Sequence, residues 1–404
     1  MRLLVGMAVL AAVLPAAAAR ATLRGPEFMS AAGGGFAELY NLDFDAASAT
    51  FNALAQRYPG HPGPPLYQAA VIWIRHLNGC HELSLNYFAH PGYFIRAAAC
   101  PIDAAAHQRF VGLPGASRLR ADRVLKGDPR DGDGRYYLGV AEGLAAAFAV
   151  TVDHSHLEAF RHAKQASAIH TRLLQESRTY FDACLLSGLF NYTAASLPWF
   201  LRWLAGGDKA RGMESVSLAV ISGTWASDDA RLVRMVLLAR EGHLADALAD
   251  AESLWKQYPH NYLLHLAQAQ ILDRMGRSDD AGTTYLQILR MAEEGKPNYQ
   301  QIGIAAFRWE VGNRLLASRP QSSLDLYQSL LADPATAERW RVLAALQSGC
   351  ALDLLGRRDD AVRKYQAVLE MKDYDNSHSH AKEYLRTPFS AAGNSIALPR
   401  LSPR

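Results

Sequence analysis

Residues 242–259 read GHLADALADAESLWKQYP, and residues 276–288 read GRSDDAGTTYLQI. In both segments a Gly is followed by an Ala, then by a small or aromatic residue four positions later and an aliphatic residue three positions after that. Ala247 and Ala281 hold the same place in the two segments and lie 34 residues apart (281 − 247). A period of about 34 residues is typical of solenoids built from helical hairpins. The sequence therefore predicts an all-α protein.

Other copies of this pattern occur along the chain. Its positions are filled by Asp43, Ala47, Phe51 and Leu54, and by Gly356, Ala361, Tyr365 and Val368. A more divergent copy holds Phe307, Leu315, Tyr327 and Leu330. Twelve positions before the Ala the pattern needs a small residue, which is Gly35, Ala269 or Gly349 in three copies but Met235 in the fourth. Four to five copies predict a repeat protein rather than a single compact core.

The residue types of the pattern have physical reasons. Small side chains such as Ala247 and Ala281 let two antiparallel helices cross closely. A Gly in the left-handed conformation ends the first helix of a hairpin, and Pro59 or Pro259 follows the end of the second. One hairpin cannot bury its apolar face alone, so each needs the next. We therefore expect a right-handed α-solenoid of tetratricopeptide-like hairpins.

The first residues have the features of an export signal. Met1 and Arg2 precede an apolar run and an Ala cluster that reaches Ala21. This pattern predicts a cleaved signal peptide over residues 1–21, with the cut after Ala19 or Ala21. An uncleaved membrane anchor is the alternative, but the apolar run is short for a span. We expect a periplasmic or secreted protein.

The rest of the chain divides by the strength of the pattern. The predicted units are an N-terminal hairpin over 22–60, irregular helical repeats with an aromatic insertion over 61–230, a C-terminal repeat array over 231–386, and a disordered tail over 387–404. In the irregular part we expect a turn-rich loop over 128–134, a helix over 135–150, and further helices over 156–174 and 178–194.

Four cysteines have two different interpretations. Cys80 and Cys100 would close a loop of about twenty residues, and a disulfide there fits an exported protein. Cys184 and Cys350 lie among apolar residues and are expected to be small buried side chains.

The aromatic insertion contains Trp199 and Trp203 in a segment that follows Pro198. Three interpretations stay open: a plug that covers the inner face of the solenoid, an anchor for a partner, or a shallow membrane contact. The stretch from Ser187 to Gly212, with its Ser-Leu-Pro-Trp and its double Gly, resembles exported bacterial tetratricopeptide proteins of uncharacterised function. Its layout is also similar to eukaryotic tetratricopeptide proteins related to the fungal inclusion-body clearance factor. Neither resemblance implies catalytic residues.

Short motifs give no reason to predict chemistry. The candidate metal ligands are Asp153, His154 and His156, the pair His378 and His380, and the set Cys80, His81, His90 and Cys100. None has the spacing of a familiar zinc motif, and residues 131–134 lack the further ligands of a calcium loop. A nucleophile elbow, a Walker loop and a dinucleotide fingerprint are absent from the sequence. We expect no metal, no cofactor and no enzyme activity.

The formal net charge is +3, and basic residues do not cluster with aromatic ones, so we expect no nucleic-acid partner. We expect a non-catalytic scaffold of the cell envelope that holds a protein or peptide in its concave groove. Counting from the small residue of each first helix predicts that Gln270, Asp273 and Asp353 face this groove, together with Cys350. The alternative is an envelope hydrolase built on a solenoid, whose active site the sequence does not identify.

Overall fold

The computed structural model describes residues 23–83, 85, 100–197 and 206–391. Within these ranges the chain forms seventeen α-helices and two short 3-10 turns, and no strand. The helices are α1 Pro26–Tyr40, α2 Phe44–Arg57, α3 Gly63–Gly79, α4 Ala104–Gly127, α5 Gly132–Thr151, α6 His156–Glu176, α7 Cys184–Ala195, α8 Lys209–Ser222, α9 Ser227–Glu241, α10 Leu244–Gln257, α11 Tyr262–Arg274, α12 Ser278–Glu293, α13 Ile304–Leu315, α14 Pro320–Ala332, α15 Glu338–Leu354, α16 Arg358–Leu369 and α17 Ser377–Arg386. The 3-10 turns are Phe181–Ala183 and Tyr299–Gln301.

Within the described ranges the helices pack as eight hairpins, from α1/α2 to α15/α16, and α17 packs on the last of them. Each helix packs mainly on the helices before and after it. This is the arrangement of an α-solenoid, so the predicted fold class is confirmed. None of the helices in the described ranges combines the length and the apolar character that crossing a membrane requires.

Glycines end the first helix of three hairpins, as the sequence predicts. Gly242, Gly276 and Gly356 follow α9, α11 and α15 and have φ values of 86°, 73° and 72°. Only a residue without Cβ adopts this left-handed conformation at no steric cost. The chain can therefore turn directly into the second helix at these places.

Each crossing of two helices in the regular hairpins pairs a small residue with a larger one. A Cβ atom added to Gly35 or Gly349 would lie 2.4 Å from a ring carbon of Phe51 or Tyr365, and one added to Gly312 would lie 2.6 Å from Tyr327. These aromatic rings therefore occupy the space that a side chain on the first helix would need. The partner ring sits fifteen or sixteen positions after the small residue.

The exception at Met235 is explained by the same rule. The residue sixteen positions after Met235 is Ala251, where other hairpins have an aromatic ring, and both residues are buried. The large and small positions are exchanged, so the pair fills a similar volume. The pattern therefore requires one large and one small side chain at the two positions where the helices cross, in either order.

In the irregular part, residues 61–230, the described residues continue the stack of hairpins. α5 begins at Gly132 rather than at the predicted residue 135, because Asp131 caps it by accepting a hydrogen bond from the backbone N–H of Gly134 at 2.7 Å. The helix predicted over 178–194 begins later, at Cys184, after a 3-10 turn. The helix predicted over 156–174 is α6.

The N-terminal segment, residues 23–43, contacts parts of the chain far from it in sequence. The hydroxyl of Tyr40 donates to Asp229 at 2.7 Å, and the amide of Asn261 donates to the backbone carbonyl of Tyr40 at 2.7 Å. The amide of Asn298 donates to Asp43 at 2.8 Å. The solenoid thus curves far enough for its fifth hairpin, the turn before the sixth and the turn after the sixth to touch its first.

The buried apolar side chains form one large cluster and three smaller ones. The largest runs from Phe28 to Leu315 and includes the first hairpin together with α5 and α9 to α13. A second cluster holds Trp309 and the buried residues of α14 to α17, and it ends at Phe389. The C-terminal helices therefore have a core that is separate from the core around the first hairpin.

Candidate interaction surface and the fate of the predicted site residues

Asp353 is an internal bridge rather than a groove residue. Its side chain is 1% exposed and accepts both bonds of an ion pair with Arg358 at 3.0 Å. It also accepts from the hydroxyl of Tyr365 at 2.8 Å and from the backbone N–H of Phe389 at 2.9 Å. All its hydrogen-bonding capacity is used within the chain, so the expected groove orientation is wrong for this residue.

The segment after α17 covers α15. Phe389 is buried, and the guanidinium of Arg358 donates to the backbone carbonyls of Tyr384 and Leu385 at 2.8 Å and 2.9 Å. The disordered tail predicted from residue 387 therefore differs from the structure at its first residues, because Asp353 and the core hold them. Residues 392–404 lie outside the described part of the chain.

Asp273 and Gln270 are also engaged or enclosed. Asp273 accepts from the hydroxyl of Tyr285 at 3.0 Å and pairs with Arg314, and its side chain is 27% exposed. Gln270 is buried on α11, and its side-chain oxygen has no hydrogen-bond partner within the described residues. The structure thus does not present these three predicted residues as an open row of contacts.

An Asp–Tyr pair recurs in two repeats and was missed by the sequence reasoning. Asp273 pairs with Tyr285 and Asp353 with Tyr365, in each case over twelve positions. Burial, and the nearby carboxylate, raise the pKa of Tyr285 and of Tyr365 well above the usual range for tyrosine. The sequence contains a signal for this pair, because an Asp is followed by a Tyr twelve positions later in both copies of the repeat.

Two of the four cysteines are buried, as the sequence predicts. Cys184 and Cys350 are free and buried, and burial raises the pKa of both thiols. Cys350 was also counted toward the groove, but the helices and the chain end packed around α15 enclose it.

The sulfurs of Cys80 and Cys100 are joined by a disulfide, with 6.1 Å between the two Cα atoms. The other predicted ligand groups do not converge. Asp153 pairs with His107 at 2.8 Å, and the Nε2 atom of His378 lies 2.8 Å from the backbone carbonyl of Met371.

Trp199 and Trp203 lie outside the described residues, which resume at residue 206. The helices that flank them are in close contact. A Cβ atom on Gly188 of α7 would lie 2.8 Å from the carbonyl oxygen of Gly212 on α8, and one on Gly212 would lie at the same distance from the carbonyl of Gly188. The two glycines therefore let the helix backbones touch, so α7 and α8 form a close pair at the base of the aromatic insertion.

The outer face of α8 ends in exposed apolar side chains. Ile221 is 76% exposed and Leu218 is 40% exposed, one helical turn apart, whereas Gly212, Val216 and Ala219 on the other face are buried. Other large exposed apolar side chains in the described residues are Val111, Leu119 and Leu157. Of these, only Leu218 and Ile221 adjoin one another on a single helix turn.

A group of charged side chains around the buried Asp182 serves packing. One oxygen of Asp182 accepts the backbone N–H groups of residues 224–226 at 2.7 Å, 2.8 Å and 3.0 Å, and its other oxygen accepts from Arg24 at 3.0 Å. Arg24 also donates to Asp133 at 2.7 Å, and Tyr180 donates to the same Asp133 oxygen at 2.5 Å. These contacts join the N-terminal segment to α5, to the turn before α7 and to the turn before α9. No sequence pattern indicates this cluster, because its charged members lie up to 158 residues apart.

No protein-family model matches the chain, and no curated protein resembles it in sequence. Among solved structures, the chain is similar to yeast Tom70, with 9% identity over 89% of this chain and 88% of that one and a TM-score of 0.29. It is also similar to the TPR domain of P58(IPK), with 13% identity over 89% and 88% of the two chains and a TM-score of 0.22. A monomeric mutant of IFIT1 with Gppp-AAAA gives 13% identity over 89% and 78% and a TM-score of 0.32. At these TM-scores the assignment of the solenoid rests on the hairpin packing described above.

Proposed function

We propose that this chain is a non-catalytic scaffold of the cell envelope that binds a partner protein through the outer face of α8 and the adjoining aromatic segment. The observation that carries the proposal is the pair of large apolar side chains, Leu218 and Ile221, on the exposed face of α8, whose opposite face is buried. Contiguous apolar surface that remains exposed marks interaction sites on soluble proteins, and these two side chains would form part of such a surface. Trp199 and Trp203 belong to the segment that leads into this helix, and tryptophan is enriched at interface centres.

The location is proposed from two independent features. The first 21 residues have the pattern of a cleaved export signal. The disulfide between Cys80 and Cys100 is of a kind that persists in oxidising compartments such as the periplasm. Both features favour a periplasmic or secreted scaffold.

We propose a non-catalytic role because the buried carboxylates bind other parts of the chain. The buried carboxylates of Asp182 and Asp353 are held by arginines and by backbone N–H groups that fix the fold. A general acid or base needs a proton that substrate can reach, whereas these groups bind segments of the chain to one another. The charged groups thus support a structural role.

The test is capture of partners from a periplasmic extract with four baits, namely the wild type, two double variants and a control. A protein retained by the wild type is expected to be lost with the double variant Leu218→Ser and Ile221→Ser, and with Trp199→Ala and Trp203→Ala. Leu157→Ser is the matched control, because Leu157 is 71% exposed on α6, away from α8 in sequence. Retention of every captured protein by both double variants would contradict the proposed surface. Intact mass spectrometry of the same bait reports whether residues 1–19 or 1–21 have been removed.

A variant that replaces Gln270, Asp273 and Asp353, the residues predicted to face the groove, would not test groove binding in this experiment. Asp353 and Asp273 hold Arg358 and Arg314 within the chain, so their loss would weaken the fold itself. A partner lost from such a variant would not distinguish a groove contact from unfolding.

A further inference from the structure

Three side chains that can ligate metal come together where α3 ends. His76 lies in the last turn of α3, and Cys80 follows it by four positions, so the two share one face of the helix. The sulfur of Cys80 is 3.7 Å from Nε2 of His76 and 3.9 Å from Nδ1. The ligand atoms of His76, Cys80 and Cys100 all lie within 4.8 Å of one another, and all three residues are half-buried. No other group of this kind is found among residues 23–83, 85, 100–197 and 206–391.

The spacing between His76 and Cys80 fits a tetrahedral zinc ion, whereas the two sulfurs are bonded to each other and must separate before they can bind one. Zinc binds sulfur at about 2.3 Å and imidazole nitrogen at about 2.0 Å, which places the two ligands roughly 3.5 Å apart. The observed distance of 3.7 Å between Nε2 of His76 and the sulfur of Cys80 is close to this value. Thiolate and imidazole ligands favour zinc over the harder magnesium and calcium ions.

We propose that His76, Cys80 and Cys100 form a zinc site that opens when the disulfide is reduced. A dithiol reductant supplies two electrons and two protons, becomes a disulfide itself, and leaves Cys80 and Cys100 as thiols. Zinc then displaces the two thiol protons and takes His76 as its third ligand. A small-molecule disulfide then takes up two electrons and two protons, becomes two thiols, and joins the two sulfurs again, which releases the ion. Three protein ligands leave a fourth position for water or for a ligand of a partner.

The sequence pointed to a different set of residues here. It grouped Cys80 and Cys100 with His81 and His90, and a disulfide accounted for the cysteines. In the structure His81 is exposed with a φ of 58°, and His90 lies outside the described residues. The ligand that the structure supplies is His76, which the His-x-x-x-Cys spacing on a helix could have indicated. The site goes beyond the proposed scaffold function and does not depend on it.

Cobalt titration of the purified protein tests the site, because Co²⁺ replaces Zn²⁺ in thiolate sites and is visible. After reduction with a phosphine under anaerobic conditions, we expect one equivalent of Co²⁺ to bind with a thiolate-to-metal charge-transfer band that Zn²⁺ abolishes. The oxidised protein is expected to show no such band. Oxidation of the loaded protein with a disulfide reagent is expected to remove the band.

Two histidine variants make the test specific. His76→Ala keeps both cysteines, so its disulfide and fold can be checked before reduction, and it is expected to weaken Co²⁺ binding at least tenfold. His81→Asn is the matched control, because it changes the adjacent histidine and Asn tolerates a positive φ. Its affinity is expected to match the wild type. The absence of a charge-transfer band in the reduced wild type, or equal affinity of His76→Ala and wild type, would overturn the proposal.

Discussion

The first and last hairpins of the chain are packed alike within themselves but are held in the molecule differently. Gly35 meets the ring of Phe51 in the first, and Gly349 meets the ring of Tyr365 in the last. The N-terminal segment then bonds to residues 109 to 257 positions away. In the C-terminal unit, residues 338–391, the hydrogen bonds that reach furthest join residues 36 apart. The same packing within a hairpin therefore occurs in two settings. In the first, which we call the closed region, residues 23–43 are bonded to α5, to α9 and to residues between 260 and 298. In the second, the C-terminal unit, the described contacts are all local.

The difference has a thermodynamic consequence. Loop-closure entropy grows with the logarithm of loop length, so a contact across about 200 residues costs about 1.5 kcal/mol more than one across 36. The contacts of the N-terminal segment together offset this entropic cost. The hairpins that these contacts join are therefore expected to fold and unfold together. The C-terminal unit depends only on its neighbours, as in an ordinary repeat array. We therefore expect the closed region to unfold as one unit and the C-terminal unit to open by itself.

Two buried aspartates offer the strongest test of this comparison. Asp182→Ala removes the acceptor for three backbone N–H groups and leaves Arg24 with one partner fewer, in contacts that span 42 to 158 residues. Breaking a buried ion pair costs about 3 to 5 kcal/mol. Hydrogen exchange is expected to rise throughout α1, α5, α7 and α9, because the segments held by Asp182 belong to the closed region.

Asp353→Ala is the matched variant in the C-terminal unit. It also removes a buried carboxylate held by an arginine and a backbone N–H, but over at most 36 residues. We expect a similar loss of stability, with faster exchange confined to α15, α16, α17 and the residues after them. If both variants raised exchange in the same helices, the two regions would be a single cooperative unit.

A smaller effect is expected from filling the hairpin crossing. Gly35→Ala would place a Cβ atom 2.4 Å from the ring of Phe51, and overpacking of this kind should lower the free energy of unfolding by about 2 kcal/mol. Gly34→Ala is the control on the same helix, since a Cβ there has no neighbour within 4 Å. Ala is the better helix former, so this control should gain about 0.5 kcal/mol or more. Urea denaturation of the two variants measures the contrast, and equal midpoints would show that the ring of Phe51 moves aside.

The sequence predicted what depends on neighbouring repeats and missed what depends on distant ones. The 34-residue period, the small residues at Gly35 and Gly349 and the glycines after first helices are local requirements of a hairpin, so they are visible in the pattern. The closure through Arg24 and Asp182 depends on the curvature of several stacked hairpins. No short spacing encodes it.

The predicted groove residues show the same limit. Counting along α11 and α15 placed Gln270 and Asp353 on a face that an isolated repeat would expose. In the structure α15 is buried over residues 342–352, because α17 and the chain end with Phe389 pack beside it. What covers a repeat is decided by the rest of the chain, so orientation within one repeat does not establish exposure. The Asp–Tyr spacing, in contrast, lies within one hairpin and could have been found.

The weakest of the expected effects is a pH dependence of the closed region. His61 stacks on Phe28 with 3.7 Å between ring centroids, its Nε2 lies 2.8 Å from the carbonyl of Leu23, and its Nδ1 accepts the N–H of Gly63 at 2.9 Å. Burial lowers the pKa of His61 to about 4. The unfolded chain, with a pKa near 6.5, takes up the proton first, so the stability that the neutral ring contributes is complete above about pH 6.5 and is lost as the pH falls toward 4.

His61→Gln keeps a donor and an acceptor but does not titrate. Between pH 7 and pH 5 the wild type is expected to lose about 1.8 kcal/mol more stability than this variant. Burial also lowers the pKa of His170 and of His265 to about 4, so part of the acid sensitivity remains in the variant. Hydrogen exchange at the two pH values, corrected for the intrinsic rate, assigns the loss to a region. Faster exchange of α1 and α3 in the wild type alone would tie the closed region to the neutral ring of His61, whereas an equal loss in both proteins would place the acid sensitivity elsewhere.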